Sequence, residues 1–170
     1  KDEKVFLGPE MKSTGEVMGI DSNTGKAFLK AMRSDGYSVP ESGTAFLSVN
    51  DSDKPRLLSI AKKLTKLGFN LVATKGTHTF LKSNNLYSNQ IYKVGEGRPN
   101  VVDEILNDNI QIVINSPEGP QSRFDEEAIG KTSVMKNVLT ITTMPGAEAA
   151  IDSMKHLNKV SVKALQEYFE

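Results

Sequence analysis

This chain of 170 residues contains no cysteine and no tryptophan, and it has only two histidines. Without cysteine there can be no disulfide framework and no thiolate ligand for a metal ion, and a lack of cysteine fits a reducing compartment. His78 and His156 are far apart in the sequence, and no acidic loop of the calcium-binding type is present. The sequence therefore predicts no metal site and no Ser-His-Asp triad.

Net charge is also lacking, because 21 basic and 21 acidic side chains cancel. A neutral chain has no general attraction for nucleic acid or for an anionic membrane, so an anion site has to be built locally. No apolar run approaches the ~20 residues that a helix needs to cross a bilayer. The first residue is Lys1 rather than methionine. We expect a soluble, cytoplasmic piece of a longer protein that binds neither nucleic acid nor membrane.

Short β-rich runs alternate with helical runs from Gly43 onward. Their length, β-branched content and flanking turn residues predict five strands. Strands that are separated by helices favour an α/β fold with a parallel sheet, and right-handed crossovers place helices on both of its faces. The predicted strands are residues 43–49, 69–73, 90–94, 110–115 and 138–143.

The intervals between the strands carry helical patterns. After the first strand, four apolar residues at helical spacing form one stripe, and Gly68 is placed to end that helix. Residues 74–77 are interpreted as a turn. Residues 1–40 differ in pattern, and we assign them to the tail of a preceding domain and its linker, with a helix at residues 23–33, before a compact domain at residues 41–170. The remaining helices are predicted at residues 78–83 and 101–106, in part of residues 125–135, and around residues 147–157 and 160–169.

Polar and basic residues follow several predicted strands. In an open parallel sheet, ligands collect outside the carboxyl ends of the strands, where two ammonium groups, two hydroxyls and an amide would meet. Gly76 lets the backbone approach a phosphate, and Thr77 would open a helix whose N–H groups favour an anion. A lysine at the end of a strand is commonly only solvated, and residues 74–77 could equally form a plain turn with a helix cap. From these residues alone, a phosphate site and a purely structural role are both open. The candidate phosphate-binding residues are Lys54, Thr74, Gly76, Thr77, Lys93 and Asn115.

Several stretches carry a family resemblance. Residues 7–19 read LGPEMKSTGEVMG and resemble the closing segment of the second ATP-grasp half of carbamoyl phosphate synthetase large subunits. The methylglyoxal-synthase-like domain that follows there is similar to SVNDSDK (48–54), FNLVATKGT (69–77), KVGEGRPNVVDEI (93–105) and IQIVIN (110–115). The chain therefore resembles the C-terminal allosteric domain of that subunit.

The resemblance implies a methylglyoxal-synthase-like three-layer sandwich, with a five-stranded Rossmann-like sheet of strand order 3-2-1-4-5. It also implies a regulatory domain without catalytic residues or a cofactor of its own. The parent ligase uses ATP with Mg or Mn, works with a glutaminase small subunit, and makes carbamoyl phosphate for pyrimidine and arginine biosynthesis. Bacterial relatives bind UMP as inhibitor and IMP as activator, near an ornithine site.

The family's phosphate and ribose contacts fall, by motif, on Lys54, Thr74, Thr77, Lys93 and Asn115, with Ser48 as a weaker candidate. Two departures stand out. Pro117 occupies a place where relatives often have threonine, so one hydroxyl contact is missing. The stretch Thr140-Ile141-Thr142 stands where ornithine-activated relatives carry Tyr-Asp-Thr, so no carboxylate can pair with an amino group. We expect nucleotide control without ornithine control.

The alternative function is a methylglyoxal synthase-like lyase acting on dihydroxyacetone phosphate. That reaction needs a placed carboxylate base and a general acid. The family's loop for it is G-G-D, whereas residues 95–100 read GEGRPN and contain only Glu96, which we interpret as structural. His78 is expected to be exposed at a helix start and His156 to lie on the surface. The related purine cyclohydrolase domain is disfavoured by residues 7–19, whereas self-association is compatible with effector binding.

Overall fold

A computed structural model describes residues 17–116 and 122–168, so residues 1–16 of the predicted tail and Pro117 lie outside the described residues. Helices and strands alternate as predicted, and a short 3₁₀ helix, Leu165–Tyr168, follows the last α-helix. The elements are α1 (Thr24–Ser34), β1 (Gly43–Val49), α2 (Lys54–Lys66), β2 (Phe69–Thr74), α3 (Lys75–Ser83), β3 (Asn89–Ile91), α4 (Val101–Leu106), β4 (Ile112–Ser116), α5 (Ser122–Met135), β5 (Leu139–Ile141) and α6 (Met144–Met154).

The five strands form one sheet in the order β3-β2-β1-β4-β5, and every neighbouring pair is parallel. This confirms the predicted fold class and strand order. β1 lies at the centre, and its middle residues are continuously apolar because both of its faces are covered. The register sets Leu47 beside Ala73 of β2 and Ser48 beside Asn115 of β4, so the three strands end at a common edge.

Two hydrophobic cores cover the two faces of the sheet. Successive residues of a strand point to opposite faces. Leu47 therefore joins the larger core, which includes buried residues of α1, α2, α3 and α6. Phe46 joins the smaller core with Val101 of α4 and Ile129 of α5. The predicted stripe of α2 is fully buried, and Gly68, with φ of 90°, follows the end of that helix as expected.

Helix α1 packs against α6, and its Leu29 and Met32 are buried in the larger core. The assignment of residues 1–40 to a preceding domain stays a prediction, but α1 shares the core of the residues that follow it. This packing also corrects the expectation for His156. Its ring is partly buried beside Gly25 of α1, because α6 ends directly under the first turn of α1.

Several predicted boundaries were wrong. Residues 74–77 are not a turn, because α3 begins at Lys75 with Thr74 as its extended N-cap. The third strand is three residues long, since beyond it Tyr92 makes only an isolated bridge to Asn100. Strands four and five also start later than predicted, and α6 covers residues 144–154 rather than 147–157. Residues 160–164 form no helix, and Val162 there is 96% exposed.

No helix in the two described ranges combines the length and apolar character that crossing a membrane requires. The same ranges contain no group of three or more histidine, aspartate or glutamate side chains arranged to hold a metal ion.

Candidate functional site

A cavity of about 250 Å³ lies at the carboxyl ends of β1, β2 and β4. Four of the seven predicted site residues line it: Ser48, Thr74, Lys93 and Asn115. Apolar residues from the smaller core form part of its wall. The complete lining is Phe46, Ser48, Val49, Asn50, Asp51, Thr74, Lys93, Val101, Asn115, Ser116, Asp125 and Ile129.

Asn50 joins the ends of β1 and β4 and fixes the shape of this edge. Its backbone N–H donates to the Ser116 carbonyl at 3.1 Å, and its side-chain amide donates to the Asp53 carboxylate at 3.0 Å. Its side-chain oxygen accepts from Ser52 Oγ at 2.6 Å and from the Asp53 N–H at 2.9 Å. The β1–α2 loop is therefore organised around one amide, which is not among the candidate residues predicted from the sequence.

Three hydroxyls gather where β1 meets the start of α3. Thr74 Oγ1 donates to Ser48 Oγ at 3.3 Å, so two predicted residues from neighbouring strands touch. Thr77 is only 1% exposed, and its hydroxyl accepts the N–H of Val49 at 3.3 Å. Thr74 makes no side-chain capping bond within the described structure, so the first turn of α3 presents backbone N–H groups at this edge.

Lys54, Gly76 and Thr77 do not line the cavity but lie directly beside it. Lys54 Nζ is 2.5 Å from Oδ1 of Asp51, a residue of the cavity wall. A Cβ atom on Gly76 would lie 3.7 Å from Lys54 Nζ, so the ammonium group sits over the first turn of α3. The structure thus brings all seven predicted residues to one edge of the sheet, and their role in binding phosphate stays a prediction.

Asp125, near the start of α5, is the main side chain of the cavity that the sequence analysis missed. Burial raises the pKa of its carboxyl above the ordinary value of 3.8, Lys93 opposes that change, and Glu96 adds to it. Glu96 itself accepts the N–H of Lys93 at 3.2 Å, within the loop that both residues share. No sequence signal marked Asp125, because its place depends on how α5 crosses the sheet.

We expect Asp125→Asn to raise the melting temperature of the ligand-free protein at pH 7. A carboxyl whose pKa is raised in the folded state binds its proton more tightly there, so its contribution to stability is present at low pH and lost as pH rises through the folded pKa. The increase in melting temperature caused by Asp125→Asn should therefore become smaller as the pH falls toward 4. Thermal unfolding at both pH values measures it.

Glu127→Gln in the same helix is the matched control, because the pKa of Glu127 is shifted in the opposite direction. The Glu127 carboxylate is 2.5 Å from Lys131 Nζ, and the hydrogen bond with Lys131 lowers its pKa. Its neutral variant should show no gain at pH 7. A loss of stability in Asp125→Asn at neutral pH would contradict the burial argument.

The histidines take no part in the cavity. The sequence predicts an exposed His78, but its ring is partly buried, with Nδ1 3.0 Å from Oγ of the buried Ser88. β5 is the outermost strand on the other side of β4, and it ends at Ile141. The neighbouring Thr140 donates a hydrogen bond to the carbonyl of Val138 at 3.2 Å.

The family model of the MGS-like domain matches residues 56–142, which include β2 to β5 and the greater part of α2. The chain belongs to the MGS-like domain family. A methylglyoxal synthase from Elizabethkingia anophelis NUHP1 has a similar structure, with a TM-score of 0.56 over 78% of this chain and 93% of that one. At 20% identity, this likeness concerns the fold alone.

Curated relatives of this MGS-like domain are carbamoyl phosphate synthase large chains. The chain is 47% identical over 96% of its length to the "large chain, C-terminal section" of Aquifex aeolicus, of which it spans 32%. It is 50% identical over 87% of its length to the large chain of Acidobacterium capsulatum, of which it spans 14%. The chain thus covers a third or less of these relatives and matches the C-terminal, MGS-like section of the large chain.

Proposed function

We propose that this MGS-like domain is the allosteric domain of a carbamoyl phosphate synthase and that its cavity binds the phosphate of a nucleotide effector of the UMP or IMP type. The observation that carries the proposal is the gathering of two lysines, three hydroxyls, an amide and a helix N-terminus at one edge of the sheet, in a protein without net charge. Such donors suit a phosphate dianion, and charge-assisted hydrogen bonds from lysine are stronger than those between neutral groups.

The cavity also suits the rest of a nucleotide. Phe46, Val101 and Ile129 supply apolar surface on one side. Asn115 and Asp125 supply an amide and a carboxylate, which can pair with ribose hydroxyls next to the phosphate. A site with one charged end, one apolar wall and a few polar groups is the usual design for a small-molecule ligand.

In the parent protein, regulation would require the effector to favour one arrangement of this domain against its catalytic neighbour. We place catalysis, with ATP and Mg or Mn, in the remainder of the large chain, with a glutaminase small subunit as partner. The enzyme would act in the cytoplasm and supply carbamoyl phosphate for pyrimidine and arginine biosynthesis. Self-association of the domain is compatible with this role.

Isothermal titration calorimetry of the chain with UMP, IMP, ornithine and inorganic phosphate tests the proposal. We expect UMP or IMP to bind and inorganic phosphate to compete with it. Ornithine should not bind, because Thr140-Ile141-Thr142 offers no carboxylate for its amino group. Absence of binding by every phosphate compound would rule out the effector site while leaving the family assignment intact.

A lyase of the methylglyoxal synthase type is the second candidate, and Asp125 is the observation that favours it. A carboxyl with a raised pKa in a phosphate-sized cavity resembles a general base. The cavity wall described above, however, contains no histidine that could act as its acid partner, and His78 is paired with Ser88 instead. Incubation with dihydroxyacetone phosphate should yield no methylglyoxal above the Asp125→Asn background.

A further inference from the structure

Lys54 has an anionic partner at the rim of the cavity, Asp51. Its ammonium group is 2.5 Å from the carboxylate of Asp51, and the two side chains differ sharply in exposure, 18% for Lys54 and 90% for Asp51. A lysine that is largely removed from water is costly without a counter-ion. Asp51 provides that counter-ion and remains in water itself.

The hydrogen bonds that hold the β1–α2 loop do not include the Asp51 side chain. Asn50, Ser52 and Asp53 are tied together through the Asn50 side chain. Among the described residues, Asp51 makes no side-chain hydrogen bond or ion pair other than that with Lys54. Its carboxylate can therefore leave the lysine without breaking the rest of the loop, and it would lose little hydration by doing so.

We propose that Asp51 is an internal competitor for the effector phosphate at Lys54. The inference rests on the proposed function of the cavity and adds its regulation. In this structure the Asp51 carboxylate neutralises the Lys54 ammonium group over the first turn of α3. A phosphate that enters takes this position and sends Asp51 into solvent. Asp51 thereby sets the affinity of the site, and occupancy of the cavity moves the Asp51 side chain while the rest of the β1–α2 loop keeps its contacts.

Asp51→Asn tests the competition, because the amide keeps the shape of the side chain and removes its charge. Because Asp51 stays in water, its ion pair with Lys54 is worth a fraction of a kcal/mol to about 1 kcal/mol, so UMP and inorganic phosphate should bind about 1.5- to 5-fold more tightly to the variant. In a Lys54→Met background the same substitution should change affinity much less, since the competed cation is gone. Calorimetry of all four proteins closes the cycle.

Asp108→Asn is the matched control, because Asp108 also forms an exposed ion pair with a lysine, at 2.8 Å from Lys136 Nζ. It precedes β4 and lies at the other end of the sheet. Its substitution changes net charge equally and should leave affinity unchanged.

The outcomes separate the two proposals. If the unmodified chain binds no phosphate compound, the effector site and the competitor are both wrong. If it binds UMP or IMP and Asp51→Asn binds them no more tightly, the competitor is overturned and the effector site stands. Equal tightening by Asp108→Asn would assign the effect to overall charge and also overturn the competitor.

Discussion

Lys93→Ala should weaken binding of UMP or IMP by about 1.5–3 kcal/mol, which is about 10- to 150-fold in the dissociation constant. Lys93 lies in the cavity wall beside Asp125, and its side chain is exposed. The variant therefore loses a charge-assisted contact without leaving a cavity in a hydrophobic core. Titration calorimetry at constant ionic strength measures the change.

Lys66→Ala provides the matched control for this substitution. Lys66 is exposed at the end of α2, on the opposite edge of the sheet from the cavity, and its loss changes net charge by the same amount. Equal weakening in both variants would indicate long-range attraction instead of a contact. An unchanged affinity in Lys93→Ala would remove the cavity from consideration as the phosphate site.

Thr77→Val is expected to lower the free energy of unfolding by about 1–3 kcal/mol, because it leaves a polar group without its partner. The Thr77 hydroxyl accepts the N–H of Val49 and is only 1% exposed, so water cannot readily replace it. Valine has nearly the shape of threonine, and the cost therefore reports the lost hydrogen bond. Urea unfolding monitored by circular dichroism gives the difference.

Thr77→Ser keeps the hydroxyl and removes one methyl group, and it should cost about 1 kcal/mol or less, the range for one buried methyl. If serine proves as damaging as valine, packing and not the hydrogen bond holds this junction. Thr77→Val should also weaken effector binding more than Thr77→Ser does, since Val49 lies in the cavity wall.

The fold could be predicted from sequence where patterning and turn chemistry agree. β1 was predicted with its exact bounds, because a short apolar run follows a glycine and is buried on both faces. Prediction was poorer at the sheet edges. β3 and β5 have only three residues each. The end of β3 depends on the bridge between Tyr92 and Asn100, and the end of β5 on Thr143, whose hydroxyl accepts the Gly146 N–H and caps α6.

The positions of the seven candidate site residues followed from the sequence for a simple physical reason. Parallel strands that share a sheet end at one edge, so residues placed after successive strands meet even when they are far apart along the chain. This holds for Ser48 and Asn115, which lie side by side in the register of β1 and β4. The resemblance to a known family added the strand order, which local patterns do not contain.

By itself, the sequence determined the α/β class, the strand-end position of the lysines and threonines, and a neutral overall charge. Only the tertiary structure decided which carboxylates face those lysines. The Asp125–Lys93 proximity depends on the course of α5 and on the loop after β3. Asp51 and Lys54 are only three residues apart, but the loop that brings them together is held by contacts between β1 and β4. Electrostatic balance in a pocket depends on distances between side chains of different elements, and no local pattern specifies those distances.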